Sequence, residues 1–258
     1  MLTIFHELLS HRVLIQTLVV RDLKVRYRGS TLGLLWTLLN PLLYMLIYVL
    51  IFSVYMRIDM ERYAAFLLCG LLPWMWLSSS LLLGATSIVD GASLLKKVFF
   101  PPQVLPTVTV MANFINFLLG IPILFALLLF YGVDLGWSLL ALPLIMAAQL
   151  GLTLGLTLMA AAASVRYRDI PQIIGHLLTF WFFLSPIIYP ATQVPERFRT
   201  FLALNPFTSF VVAYQDVLLY NELPSGTAWQ SMFVAGGVAL LCGLFVFDRF
   251  RWSLAEEV

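Results

Sequence analysis

The side chains in this sequence that could do chemistry are aromatic rings, amides and hydroxyls set inside apolar runs. Tyr44, Tyr48, Phe52 and Tyr55 fall within an arc of about 80° at 3.6 residues per turn, with Trp36 and Asn40 trailing the same stripe. Asn113 and Asn116 sit near Phe114 and Phe117; Gln149, Thr153 and Thr157 share one helical face; Thr179, Trp181 and Ser185 mark a later run. Aromatic faces pack on the apolar C–H faces of sugars, while amides and hydroxyls can hydrogen-bond their hydroxyl rims. A path for a neutral, hydroxyl-rich polymer can be built this way, with Trp36, Tyr44, Tyr48, Phe52, Tyr55, Asn113, Asn116, Thr179 and Trp181 as its candidate lining. The same residue types also fill helix bundles and hold helices together.

Other chemistries lack their residues. No Asp, Glu, Lys or Arg lies in the interior of an apolar run, and His176 is the one imidazole there. Proton-coupled carriers commonly place charges at membrane depth, so this argues against a proton antiporter. No phosphate-binding GxxxxGK[ST], no HExxH, no GxSxG and no paired carboxylates occur, so neither ATP binding by that loop nor a familiar hydrolase is expected. Cys69 and Cys242 both fall in apolar runs and offer neither a disulfide framework nor metal-ligand spacing. Neither a metal nor a nucleic-acid partner is expected.

The elements that must position these side chains follow from composition. The chain is 61% hydrophobic and 11% charged, with a mean hydropathy of +0.95. Soluble domains carry about 25% charge, so an all-α integral membrane protein is expected. Six runs approach the ~20 residues a spanning helix needs: 32–56, 63–89, 104–131, 138–165, 170–189 and 228–247. An even number of spans puts both termini on one side. Residues 1–31, the 90–103 and 166–169 loops and the C-terminal tail carry eleven of the fifteen Lys and Arg. That side is therefore expected to be cytoplasmic.

Three segments do not span. Residues 1–31 read as an amphipathic helix in the interface, ending in a basic cluster of Arg21, Lys24, Arg26 and Arg28. Residues 90–102 read as a short helix between membrane runs, opened by Asp90-Gly91 with Asp90 or Ser93 as cap, and stopped by Pro101-Pro102. Leu94, Leu95, Val98 and Phe99 would share its apolar side and Lys96 and Lys97 the other, offering a surface to another protein. Residues 191–229 hold two apolar pieces too short to span, 198–204 and 207–219, the second opened by Asn205-Pro206. They are expected to be short re-entrant or interfacial helices on the outer face, with Phe207, Phe210 and Tyr214 closing an exit as an external gate.

The ordered series RDLKVRYRGSTLGLLWTLLNPLL, SLLKKVFFPPQVLP, VRYRDIPQI, FFLSPIIYP and LNPFT resembles the membrane subunit of ABC exporters of cell-surface polysaccharide, of the O-antigen, capsule and teichoic acid type. The resemblance covers nearly the whole chain. It implies a homodimer of six-span permeases in the bacterial cytoplasmic (inner) membrane, with two separate ATP-binding cassette subunits docked beneath. ATP and Mg would be held by those partners, with no cofactor in this chain. The 90–102 segment would receive the ATPase through Leu94, Leu95, Lys96, Lys97, Val98 and Phe99. The substrate implied is a lipid-linked polysaccharide, whose diphosphate or headgroup Arg21, Lys24, Arg26 and Arg28 could meet; orientation in the membrane accounts for the same charges. One position departs from the pattern: Gln215 stands where the family often carries an arginine.

The expected architecture is thus residues 1–31 as an interface segment and 32–258 as a six-helix transmembrane domain. Two other functions fit the same spans: an ABC exporter of a small lipid or drug, and a membrane enzyme acting on lipid-linked sugars.

Overall fold

The computed structural model describes residues 2–26, 28–57, 60–98 and 100–257, with side chains from 6 to 250 within them. Among the described residues there is no strand; eleven α-helices and four shorter 3₁₀ or π segments form the molecule. Five helical stretches are long and apolar enough to cross a bilayer.

Two short helices, α1 (Leu2–Ser10) and α2 (Arg12–Arg26), come first. They are tied to the bundle rather than lying wholly on lipid. Leu8, Leu18 and Val19 are buried in a cluster with Ile88, Phe100, Val104, Val108, Leu158 and Phe247. The Gln103 amide also donates to the Glu7 carboxylate.

The first span is α3 (Leu35–Val49), prolonged by a π-helical turn over Leu50–Tyr55. Its 21 residues cover about 32 Å at 1.5 Å each. In the last turn Met56 N–H donates to Ile51 C=O at 2.9 Å, an i→i+5 bond. The wider turn lowers the angular step per residue. Tyr55, expected on the aromatic stripe, therefore leaves it and stands 74% exposed.

The long helix α4 (Tyr63–Asp90) is the hub. It is apolar all round, as befits a helix surrounded by protein, and Ala65, Phe66, Leu67, Leu68, Cys69, Trp76 and Leu77 are sealed from solvent. After it come α5 (Ala92–Lys97) and α6 (Val104–Phe130). A 3₁₀ turn at Trp137–Ala141 then leads into α7 (Leu142–Arg166).

Helix α8 (Ile170–Leu184) is shorter than the run that suggested it. Its 15 residues make about 22 Å, short of the ~30 Å hydrocarbon core. The residue before a proline is disfavoured in α geometry. Ser185 accordingly turns extended ahead of Pro186 and the helix ends, where 170–189 was expected to continue. The freed backbone is paired by side chains: Tyr63 Oη donates to Ile188 C=O at 2.8 Å and Gln215 Nε2 to Pro186 C=O at 3.0 Å. Irregular backbone at membrane depth is tolerated when protein satisfies it in this way.

The expected pair of short helices is present as α9 (Glu196–Leu204) and α10 (Thr208–Gln215). A π turn, Asp216–Tyr220, prolongs α10, and the two arms meet at 100°. Helix α10 runs into the bundle beside α4, whereas α9 stays at its margin with Phe198, Phe201 and Leu204 exposed.

The final helix, α11 (Gly226–Glu257), lies along α7 in backbone contact. A Cβ at Gly155 would fall on the Ala239 carbonyl oxygen, one at Gly236 on the Ala148 carbonyl and one at Gly243 on that of Gly155. Small residues permit this approach, and dispersion then holds the pair where lipid supplies no hydrophobic drive.

Candidate functional site

Two grooves flank α3 where it leans on α4. The first, about 380 Å³, lies between α3, α4 and α8. Tyr44 and Tyr48 wall one side, Thr179, Phe182 and Phe183 the other, and Trp74, Ser78 and Ser79 of α4 form the floor. Tyr48 stacks on Phe182 at 5.4 Å between ring centres and lies 6.3 Å from Phe52. Trp74 meets Phe182 at 5.7 Å and Trp181 edge-on at 5.9 Å. The Thr179 hydroxyl donates to Gly175 C=O at 3.0 Å and keeps accepting capacity toward the groove. Rings beside hydroxyls can pack on a sugar face and bond its rim.

The second groove, about 230 Å³, lies between the end of α2, α3, α4 and α6. It collects Asn113 and Asn116, together with Asn40, Trp76, Ser79 and Arg26. Arg26 donates from Nη1 to Asn113 Oδ1 at 2.8 Å and from Nη2 to Asp22 at 3.0 Å. Ser79 and Met75 belong to both grooves, so α4 separates and joins them.

The expected pathway residues thus divide. Tyr44, Tyr48 and Thr179 share one groove; Asn113 and Asn116 share the other. Trp36 is half-buried and lines neither, and Phe52 packs against the core. Trp181 is drawn away from the first groove: its Nε1 donates to Asn205 Oδ1 at 2.6 Å. Gln149 is sealed in the bundle with its Nε2 on Pro73 C=O at 2.8 Å, and Thr153 and Thr157 are buried beside it. That ladder faces protein. Trp74, Ser78 and Ser79 were missed, because an all-round apolar helix has no stripe to betray its working face; the Ser78–Ser79–Ser80 triplet in mid-run was the available signal.

Asn205 is a second residue whose full role the sequence hid. Its Oδ1 takes the Trp181 indole and the Phe207 N–H at 3.0 Å, while its Nδ2 donates to Ser185 Oγ at 2.9 Å and Leu184 C=O at 3.3 Å. One amide therefore clamps the end of α8 to the corner between α9 and α10. Gln215, at the position that departs from the resembled pattern, holds the adjoining Pro186 carbonyl.

Phe207, Phe210 and Tyr214 lie elsewhere than on an exit. All three are fully buried in the chain's own core, with Phe207 5.4 Å from Trp74 and Tyr214 6.0 Å from Phe117. An apolar helix face packs into the nearest protein core when one is in reach, and α4 supplies it.

The segment after α4 is also partly reorganised. Gly91, rather than Asp90 or Ser93, occupies the cap position of α5, without a side-chain cap bond. Leu94 and Leu95 are half-buried against the α1–α2 cluster, Lys96 and Lys97 are exposed, and Val98 is extended and 47% exposed. The expected four-residue helical face is therefore split, and Phe99 lies outside the described residues. Of the basic cluster, Arg21, Lys24 and Arg28 are exposed while Arg26 turns inward.

Comparison with known proteins gives this arrangement a family. The model of the ABC-2 type transporter family matches residues 13–219. The O-antigen export system permease protein RfbA of Myxococcus xanthus is 40% identical over 260 aligned residues, the whole of both chains. A protein of that name from Klebsiella pneumoniae is 31% identical over 92% of this chain and 91% of its own. The polysialic acid transport protein KpsM of Escherichia coli is 24% identical over 92% of this chain and 93% of its own. A family match spanning most of the chain and a relative alike along its full length lead to one conclusion: the chain belongs to the ABC-2 type transporter family of membrane proteins.

Proposed function

We propose that this chain is the transmembrane permease of an ATP-driven exporter of lipid-linked polysaccharide. The observation that carries the reading is full-length likeness, at 40% identity, to a protein named an O-antigen export permease. The aromatic and hydroxyl groove of α3, α4 and α8 supports it: Tyr44, Tyr48 and Phe182 offer sugar-stacking surface, and Ser78, Ser79 and Thr179 offer bonds to hydroxyls without a fixed charge to trap the polymer.

In this reading two copies face each other across a two-fold axis, since one copy presents its groove open along one side and closed two-fold assemblies are the commonest oligomers. Two ATPase subunits that bind ATP and Mg dock at the α1/α2 end, around Leu94, Leu95, Lys96, Lys97 and Val98. Both termini are cytoplasmic in the bacterial inner membrane, in keeping with the Lys and Arg balance. The exposed Arg21, Lys24 and Arg28 meet anionic headgroups there. The outer gate is assigned to the exposed α9 arm, with Phe207, Phe210 and Tyr214 as the buried anchor on which it pivots.

The test is deletion in the source bacterium followed by complementation. Loss of surface polymer with accumulation of lipid-linked polymer inside, restored by the intact gene, is the expected result. Unchanged surface polymer, or turnover of a lipid-linked sugar by the purified chain alone, would overturn the reading.

A further inference from the structure

The second groove, between the end of α2, α3, α4 and α6, contains more donors than its own residues can satisfy. Asn113 and Trp76 are almost wholly buried in its wall, and both Asn113 Nδ2 and Trp76 Nε1 lack a hydrogen-bond partner among the described residues. The orientation of Asn113 is fixed by chemistry, because only its oxygen can receive the Arg26 guanidinium; its NH₂ must point the other way. An orphaned buried donor costs about 1–3 kcal/mol. Trp76 is held in place by its rings, 4.8 Å from Phe114 and 5.3 Å from Phe117.

Arg26 adds charge. Two of its five N–H donors are used, on Asn113 and Asp22. No carboxylate lines this groove among the described residues. The neighbouring cleft of about 370 Å³, on the other side of Arg26, is different: Asp22 and Asp90 both line it, and carboxylates repel an anion. Donor-only groups beside a guanidinium suit a group that only accepts. A sugar hydroxyl both donates and accepts; a phosphoryl oxygen accepts only.

We infer that the groove formed by Arg26, Asn113 and Trp76 is a binding site for the phosphoryl group of a lipid. The lipid is either the polyprenyl carrier of the exported polymer or an anionic phospholipid of the same leaflet. The inference rests on the export reading only for the first of these sources; the chemistry of the site stands without it.

The experiment measures binding to the purified full-length chain in detergent by native mass spectrometry. The probes are undecaprenyl phosphate, phosphatidylglycerol and, as a neutral control, diacylglycerol. Variants are W76F, which keeps a ring in the stack and removes one N–H, N113L and R26Q, each checked by thermal unfolding. At least one phosphorylated probe is expected to bind the natural chain and to weaken about tenfold in W76F, the effect of one charge-assisted bond, and further in R26Q. Diacylglycerol should bind weakly and equally to all. Preference for undecaprenyl phosphate assigns the carrier; preference for phosphatidylglycerol assigns a resident lipid. If no phosphorylated probe outbinds diacylglycerol, or if W76F and R26Q bind as the natural chain does, the inference fails. Surface polymer is scored separately in cells, so that failure leaves the permease reading intact, and loss of export with binding retained would count against that reading alone.

Discussion

Single side chains divide into those that hold the molecule and those free to act. Asn205 is of the first kind. Its four bonds join α8 to the α9–α10 corner, so Asn205→Ala strands the Trp181 and Phe207 N–H groups together. The expected cost is ~3 kcal/mol, seen as a drop of several degrees in the melting temperature of the purified chain. Tyr44 is of the second kind, half exposed on the wall of the first groove. Tyr44→Ala should leave the melting temperature within a degree or two and lower the export rate about threefold to tenfold, the worth of one aromatic contact. Unaltered export would show that the polymer does not touch that wall. Sequence reading found Tyr44 by its spacing but could not separate it from Trp36 or Tyr55. In a bilayer, core, lipid and lumen all accept an aromatic ring, so periodicity alone carries no direction. The buried Phe207, Phe210 and Tyr214 were read as an exit plug for the same reason.

Helices were more legible than side chains. Length and hydropathy place α3, α4, α6, α7 and α11 close to where they stand, because lipid demands about 20 apolar residues whatever their partners. What escaped was where a helix stops for a local reason. Pro186 reads as a tolerated kink until Tyr63 and Gln215, far away in sequence, are seen to pair the broken backbone. The α7–α11 pair makes a sharper test of packing. Gly236 and Gly237 are neighbours on α11, yet a Cβ at Gly236 meets the Ala148 carbonyl and one at Gly237 meets nothing within 4 Å. Gly236→Ala should therefore weaken folding by ~2 kcal/mol through forced separation of the helices. Gly237→Ala should stabilise by up to ~1 kcal/mol through helix propensity. Melting of the two variants side by side checks the pair, and equal shifts would mean that α7 and α11 are not in backbone contact.

At the scale of the whole molecule, the α1/α2 end and the opposite end are built differently. The first presents Lys96, Lys97 and Val98 outward on a short segment backed by Leu94 and Leu95. Val98→Asp, or Lys96→Glu with Lys97→Glu, should lower copurification of the ATPase by tenfold or more while leaving the melting temperature unchanged, since none of the three is packed inside. Retention of the ATPase by both variants would place the coupling contact elsewhere. The opposite end is held by the short α8 and the α9–α10 corner. That economy of length has a consequence for how the protein is made. A helix of about 22 Å is a weak stop for the insertion machinery. The turn after it is completed from both directions: Tyr63 has already been synthesised when residue 186 emerges, but Asn205 and Gln215 have not. The fifth membrane segment should therefore settle late, waiting for chain still on the ribosome. Reporter fusions truncated at residue 200 should be degraded or of mixed orientation, and fusions at residue 224 stable and uniform, which makes the C-terminal quarter of the chain a single step of biogenesis.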